Sequence, residues 1–142
     1  MPAIKSEKKY LLDTSALLAL WNEEKGADAV EKLLHEAVRK RQTILVSFMT
    51  YMESYYRLWK SQNEETARDF YHQLKTLPVV RIDLDETLLL KAAELKATKS
   101  LSVADSWIIA TGIVHQAAIV HKDPEFEQVS DLIPLLALPY KV

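Results

Sequence analysis

The sequence predicts an α/β domain, a mostly parallel sheet of four or five strands with helices on both faces. Two observations carry that prediction. Short apolar runs such as Thr43-Ile44-Leu45-Val46 and Ala118-Ile119-Val120 lack strict apolar–polar alternation, as expected of strands buried on both sides. Between the runs lie stretches with apolar residues at helical spacing, and strands alternating with helices build parallel sheets. A chain of 142 residues, 49% hydrophobic and 27% charged, has the material for one packed core. With no linker, repeat or low-complexity tract, one domain is expected over residues 1–142, residues 1–8 forming a flexible N-terminal extension.

Tyr10-Leu11-Leu12-Asp13 is the first short strand, and residues 15–21 read as a short helix. Residues 27–41 set Ala27, Val30, Leu33, Leu34, Ala37 and Val38 on one helical face. Thr43 to Val46 forms a second strand. A helix over residues 48–60 follows, with Phe48, Met52, Tyr55, Tyr56 and Trp59 on one side. At that spacing these aromatic residues are read as core or dimer interface. Residues 64–77 make a helix stopped at Pro78, and Val79-Val80-Arg81-Ile82 makes a third strand. Asp85 is expected to cap a helix reaching residue 98, and Ser102 another reaching residue 116. Ala118-Ile119-Val120 is a fourth strand, and a last one is expected near residues 135–138. Because two helices in a row precede the third and fourth strands, strand order does not follow from the sequence.

Composition excludes several chemistries. Without cysteine there is no thiolate nucleophile, thiolate-bound metal or disulfide. The two glycines, Gly26 and Gly112, are too far apart for a P-loop or a dinucleotide fingerprint. The four histidines never form the H-E-x-x-H zinc motif. A net charge of −2 argues against a general coat for polyanions but leaves room for a local basic groove. Lys5, Lys8 and Lys9 before an apolar stretch imitate a secretory leader. Asp13 interrupts that stretch and Trp21-Asn22-Glu23-Glu24 follows it, so a cytoplasmic domain is expected.

Carboxylates remain. Asp13 ends the first strand, Glu53 lies in the first turns after the second, Asp105 opens the late helix and Asp123 follows the fourth strand. Each also has a plainer reading. Asp13 and Asp123 suit helix N-caps, Asp123 the more so with Pro124 behind it. Thr50 to Glu53 and Ser102 to Asp105 both fit the capping box. Taken together, acids at strand-to-helix junctions of a parallel sheet point to one rim. Four unpaired carboxylates there would repel one another unless some were protonated or divalent cations neutralised them. Oxygen-only ligands suit Mg²⁺ or Mn²⁺, one or two ions, and such sites serve phosphoryl chemistry.

The segments Leu11 to Leu17, Met49 to Glu53, Leu101 to Ala110 and His121 to Phe126 together resemble the PIN-domain nuclease pattern, and most of all the VapC-type toxins of toxin–antitoxin pairs. The resemblance spans about Lys9 to Leu138. It implies a three-layer α/β/α fold, metal-dependent cleavage of RNA, a homodimer and an antitoxin that blocks the site. Asp13, Glu53, Asp105 and Asp123 match the catalytic, metal-binding quartet. Glu125 matches a further nearby acid, and Ser15, with Thr14 as the second choice, matches the hydroxyl beside the first acid. The chain departs from the pattern at Ser106, where Ala is frequent, and at His121, where a supporting Thr is usual; His121 is read as a titrating group that supports the site or as a partly exposed strand-end residue without a role.

RNA must reach an acidic pocket, so cations are needed beside it. Candidates are Arg57, Lys60, Lys96, Lys99 and Lys122, with Lys99 and Lys122 preferred for their nearness to proposed ligands. Two other readings stand beside the toxin: a PIN nuclease of RNA processing without an antitoxin, and a non-catalytic binding module. Haloacid-dehalogenase chemistry is rejected, because Ser15 stands where its second Asp is required.

Overall fold

A computed structural model describes residues 8–141. Its elements are β1 (Lys8–Leu12), α1 (Thr14–Trp21), α2 (Ala27–Val38), β2 (Gln42–Ser47), α3 (Phe48–Ser61), α4 (Glu64–Leu74), β3 (Val80–Ile82), α5 (Glu86–Thr98), α6 (Val103–His115), β4 (Ala118–His121), a 3₁₀ helix (Pro124–Val129) and β5 (Leu135–Ala137). The five strands lie in the order β3-β2-β1-β4-β5, and every neighbouring pair is parallel. The extension expected over residues 1–8 lies outside the described residues except for Lys8, which opens β1.

Successive strand side chains point to opposite faces, and here both faces are dry. Leu12, Ile44, Val46 and Val120 pack with α1 to α4, whereas Leu11, Leu45 and Ile119 pack with α5, α6 and the 3₁₀ helix. Three layers follow, which is why the strands read as unbroken apolar runs. Burying a leucine fully contributes about 1.5–3 kcal/mol. Leu11, Leu12, Leu17, Leu74 and Leu88 are all essentially inaccessible.

The order of strands creates the crevice. From β1 the chain winds outward through β2 to β3, then crosses to β4 on the other side of β1. In an open parallel sheet the cleft lies at such a reversal, beyond the carboxyl ends of the strands. Close packing holds α6 against β4 in the core below that cleft. A Cβ added at Gly112 would stand 2.8 Å from Ile119 Cγ1 and 2.9 Å from Ile133 Cδ1, both in the core. Gly112→Ala is therefore expected to destabilise the fold by about 1–3 kcal/mol despite alanine's better helix propensity. A lowered urea midpoint with an unchanged slope is the expected reading.

Three expectations need correction. Helices α2 and α4 stop at Val38 and Leu74, short of residues 41 and 77. Of the two readings of the aromatic side of α3, core or dimer interface, the core reading fails for Met52, Tyr56 and Trp59, which are 62%, 43% and 47% exposed. The buried face of α3 instead carries Thr50, Tyr51, Ser54 and Leu58. The hydroxyls disguise that face in the sequence, because Ser54 satisfies its Oγ on the Thr50 carbonyl at 2.6 Å.

Candidate active site

Asp13 leaves β1 in extended conformation and caps α1, its Oδ2 accepting the Ser15 N–H at 3.0 Å. Ser15 Oγ donates a short bond to the same oxygen and accepts the Lys122 N–H at 2.8 Å. One hydroxyl thus joins the end of β1 to the residue after β4. Asp13 Oδ1 is buried without a partner. Burial drives the Asp13 pKa up to about 6, nearby Glu53 adding to the rise and the Ser15 bonds opposing it.

Glu53 sits on the second turn of α3. The helix is capped by Ser47, whose Oγ accepts the Met49 N–H at 3.1 Å, so the expected Thr50–Glu53 capping box is not the cap. Thr50 has another task. Thr14 Oγ1 donates to Thr50 Oγ1 at 3.2 Å in a buried contact, pinning the start of α3 to that of α1. Thr14 therefore acts beneath the acids rather than among them.

Asp105 follows no strand; the packing of α6 on the sheet brings it to the rim. Ser102 does cap α6, accepting the Asp105 N–H at 3.1 Å. Ser106, in the next position, bonds the Ser102 carbonyl at 2.9 Å. Gln128 of the 3₁₀ helix bonds both the N–H and the carbonyl of Ser100, at 2.9 and 3.1 Å, which fixes the approach to α6. No local pattern in the sequence announces that clamp. Asp123 caps the 3₁₀ helix through the Glu125 N–H at 3.0 Å, and its own N–H donates to His121 Nδ1 at 3.2 Å. His121 is fully buried, which corrects the reading of it as a partly exposed strand-end residue, and that burial holds its pKa below the usual value.

The five acids meet. Asp13, Glu53 and Asp105 can place one oxygen each within 4.8 Å of one another, and so can Asp105, Asp123 and Glu125. Asp105 belongs to both groups. Burial, followed by the fields of Asp13, Glu53 and Asp123, pushes its pKa up to about 7. Capping and convergence are thus compatible, since a carboxylate has two oxygens. An unpartnered buried oxygen amid mutually repelling carboxylates, with no nitrogen or sulfur ligand among them, fits a hard divalent cation.

Beside the acids opens a cleft of about 440 Å³, lined among others by Ser15, Asn22, Arg57, Ser61, Asp123 and Lys141. Arg57 is exposed and lies one turn after Glu53 on α3. The expectation for Lys122 needs revision. Its side chain is only 5% exposed, with the ammonium 3.2 Å from Glu24 and 2.9 Å from the Lys25 carbonyl. Burial works against the Glu24 charge, but the bonds to Lys122 and the nearby Lys141 hold its pKa below the usual range. Lys122 thus anchors the cleft wall, and Glu24 and Lys141 are cleft residues that sequence reasoning missed. Lys99 ends α5 half-buried, while Lys60 and Lys96 lie on exposed helix faces.

Fold and site together define a parallel α/β domain with an acid cluster at the carboxyl edge of its sheet. The chain belongs to the PIN-domain family, whose profile matches residues 10–132. No curated protein sequence matches the chain. Among solved structures it resembles VapBC2 of Rickettsia felis, bound to a promoter DNA fragment. That likeness has 20% identity and a TM-score of 0.73, over 92% of this chain and 99% of that one. VapBC of Salmonella typhimurium, also bound to DNA, shares 18% identity over 92% and 98% of the chains, with a TM-score of 0.72. Mycobacterium tuberculosis VapC20, described as a toxin that cleaves the sarcin–ricin loop, shares 16% identity over 84% and 94%, with a TM-score of 0.67. At these identities the likeness is one of fold. No helix among the described residues is long and apolar enough to cross a membrane.

Proposed function

We propose that the chain is a Mg²⁺- or Mn²⁺-dependent endoribonuclease, the toxin of a VapBC-type toxin–antitoxin pair acting in the cytoplasm. The observation that carries this reading is the pair of carboxylate triads sharing Asp105, one of which includes Asp13, a residue whose Oδ1 is buried without a partner. Asp13, Glu53 and Asp105 would hold one ion, and Asp105 and Asp123, with Glu125 beside them, a second. Bound there, the ions supply Lewis acidity and positive charge for hydrolysis of a phosphodiester. Ser15 orients Asp13, while Thr14 and Thr50 set the position of the helix carrying Glu53. Arg57 and Lys141 offer the RNA backbone cations at the cleft mouth, and Lys99 a further one. Products would carry 5′-phosphate and 3′-hydroxyl ends.

Partners enter the reading from two directions. Structures of similar fold include a toxin–antitoxin complex from Klebsiella pneumoniae. On α3 the exposed stripe Met52, Tyr56 and Trp59 flanks Glu53 and Arg57. An antitoxin covering the stripe would also cover the approach to the acids. A homodimer belongs to the same reading.

The test is cleavage of single-stranded RNA by the wild type and by Asp105→Asn, with Mg²⁺, Mn²⁺ or EDTA. Metal-dependent cutting is expected, with a loss of at least ~100-fold in the variant. Cutting that survives EDTA, or a variant as fast as the wild type, would overturn the metal site. Expression of the wild type should arrest growth, and the product of an adjacent small gene should relieve that arrest. Cleavage without either effect would favour RNA processing over a toxin.

A further inference from the structure

His121 is a fully buried polar group beside the acids to which the proposed chemistry gives no task. Its ring is held on two sides. The imidazole stacks on Phe126 with centroids 5.0 Å apart and planes at 22°, and the Tyr140 ring lies 6.1 Å away. Its backbone is fixed as well, since the His121 carbonyl accepts the Leu138 N–H at 2.7 Å next to β5. Held this way, Nδ1 accepts the backbone N–H of Asp123 at 3.2 Å. Asp123 is then gripped at two points, at its N–H by His121 and at Oδ1 by the Glu125 N–H at 3.0 Å. Two bonds on so short a residue leave its carboxylate little freedom to turn away from Asp105.

A neutral imidazole that accepts at Nδ1 carries its proton on Nε2. That nitrogen is buried without a partner, an unfavourable arrangement that a phenyl ring of similar shape would avoid. A mere filler of the core would serve better without nitrogens. We propose that His121 is a positioning residue, its Nδ1 lone pair fixing Asp123 so that the Asp105–Asp123–Glu125 group is preformed for a divalent ion. The inference rests on the reading of Asp123 as an ion ligand. Groups that orient ligands in this way change metal affinity by ~10–100-fold when removed.

Titration calorimetry with Mn²⁺ provides the test, together with thermal melts. His121→Phe keeps a ring against Phe126 but removes the acceptor, whereas His121→Asn keeps an acceptor near the same place. The Phe variant is expected to bind Mn²⁺ at least ~10-fold more weakly, and the Asn variant to stay within about threefold of the wild type. In an Asp123→Ala background the His121→Phe effect should vanish, because the coupling runs through Asp123. Equal Mn²⁺ affinity in a folded His121→Phe protein, or an undiminished effect in the Asp123→Ala background, overturns the proposal and leaves the nuclease reading standing. A wild type that binds no Mn²⁺ removes the reading on which the proposal rests. Nitrogen-15 NMR of the wild-type imidazole needs no variant: the Nε2–H tautomer is expected, and an Nδ1–H tautomer overturns the proposal even if His121→Phe fails to fold.

Discussion

Asp13→Asn is expected to make the metal-free protein more stable and to make it useless as a metal-dependent nuclease. Asp13 is only 3% exposed, and its Oδ1 lacks any partner. Burial and the nearby Glu53 raise its pKa to about 6, so at neutral pH the fold holds a charge it disfavours. Asparagine caps helices as well as aspartate does, so the bond from the Ser15 N–H survives the change. Its amide can also donate toward the surrounding carboxylates. One pKa unit corresponds to 1.36 kcal/mol, so relief on the order of 1–3 kcal/mol is expected, a few degrees in melting temperature. The ranking should reverse in millimolar Mn²⁺. The wild type then gains more stability from ion binding than the variant, which keeps only the Asp105–Asp123–Glu125 group, and that gain grows with the logarithm of ion concentration over Kd. RNA cleavage by the variant should fall by at least ~100-fold. A variant less stable than wild type in EDTA would show that the buried charge is not a liability. One that still melts higher with Mn²⁺, or still cuts, would show that Asp13 holds no ion.

This trade-off explains what the sequence made legible and what it hid. Asp13 and Asp123 could be placed because strand and cap signals bracket them: Leu11-Leu12 before one, Ile119-Val120 and Pro124 around the other. In a parallel sheet, the ends of adjacent strands must be neighbours. Asp105 was a different problem. It reaches the rim by packing of α6 against α5 and the sheet, and a clamp from Gln128 to Ser100 fixes the entry. Contacts across 28 positions leave no periodic trace in a sequence. The buried side of α3 was missed for a related reason, since Thr50 and Ser54 look polar yet bond internally. Lys122 shows the limit of adjacency. Sequence places it beside Asp123, but the loop holding Glu24 and Lys25 folds over and takes its ammonium. Strand count and parallel winding follow from local pattern; the order β3-β2-β1-β4-β5 needed long-range crossovers.

Metal-free stability should fall as pH rises through the carboxylate range and on toward neutrality, the opposite of what paired acids produce. Asp13 and Asp105 have folded pKa values of about 6 and about 7, each raised first by burial. In the unfolded chain both titrate near ~3.9. Between those limits the folded state binds more protons than the unfolded one, so the stability gradient with pH is negative. Protonation that relieves the cluster is complete near the unfolded values, and the benefit is gone once pH passes the folded ones. Two groups work in the other direction. Glu24, lowered by its lysines against the effect of burial, loses its contribution as pH falls through its folded pKa. His121, lowered by burial, favours unfolding where the unfolded imidazole charges. Comparison with an Asp13→Asn, Asp105→Asn double variant removes both from the balance, since they titrate in either protein. Wild type should lose stability relative to that variant between about pH 4 and about pH 7.5, measured by urea unfolding in EDTA. Parallel curves would mean that the two acids are not strained by burial. Protons and divalent ions compete for the same oxygens, so Mn²⁺ affinity should collapse as pH falls through about 7 to 6, the range set by Asp105 and Asp13. The cluster is thus an arrangement that folding tolerates at neutral pH and that a bound cation would make favourable.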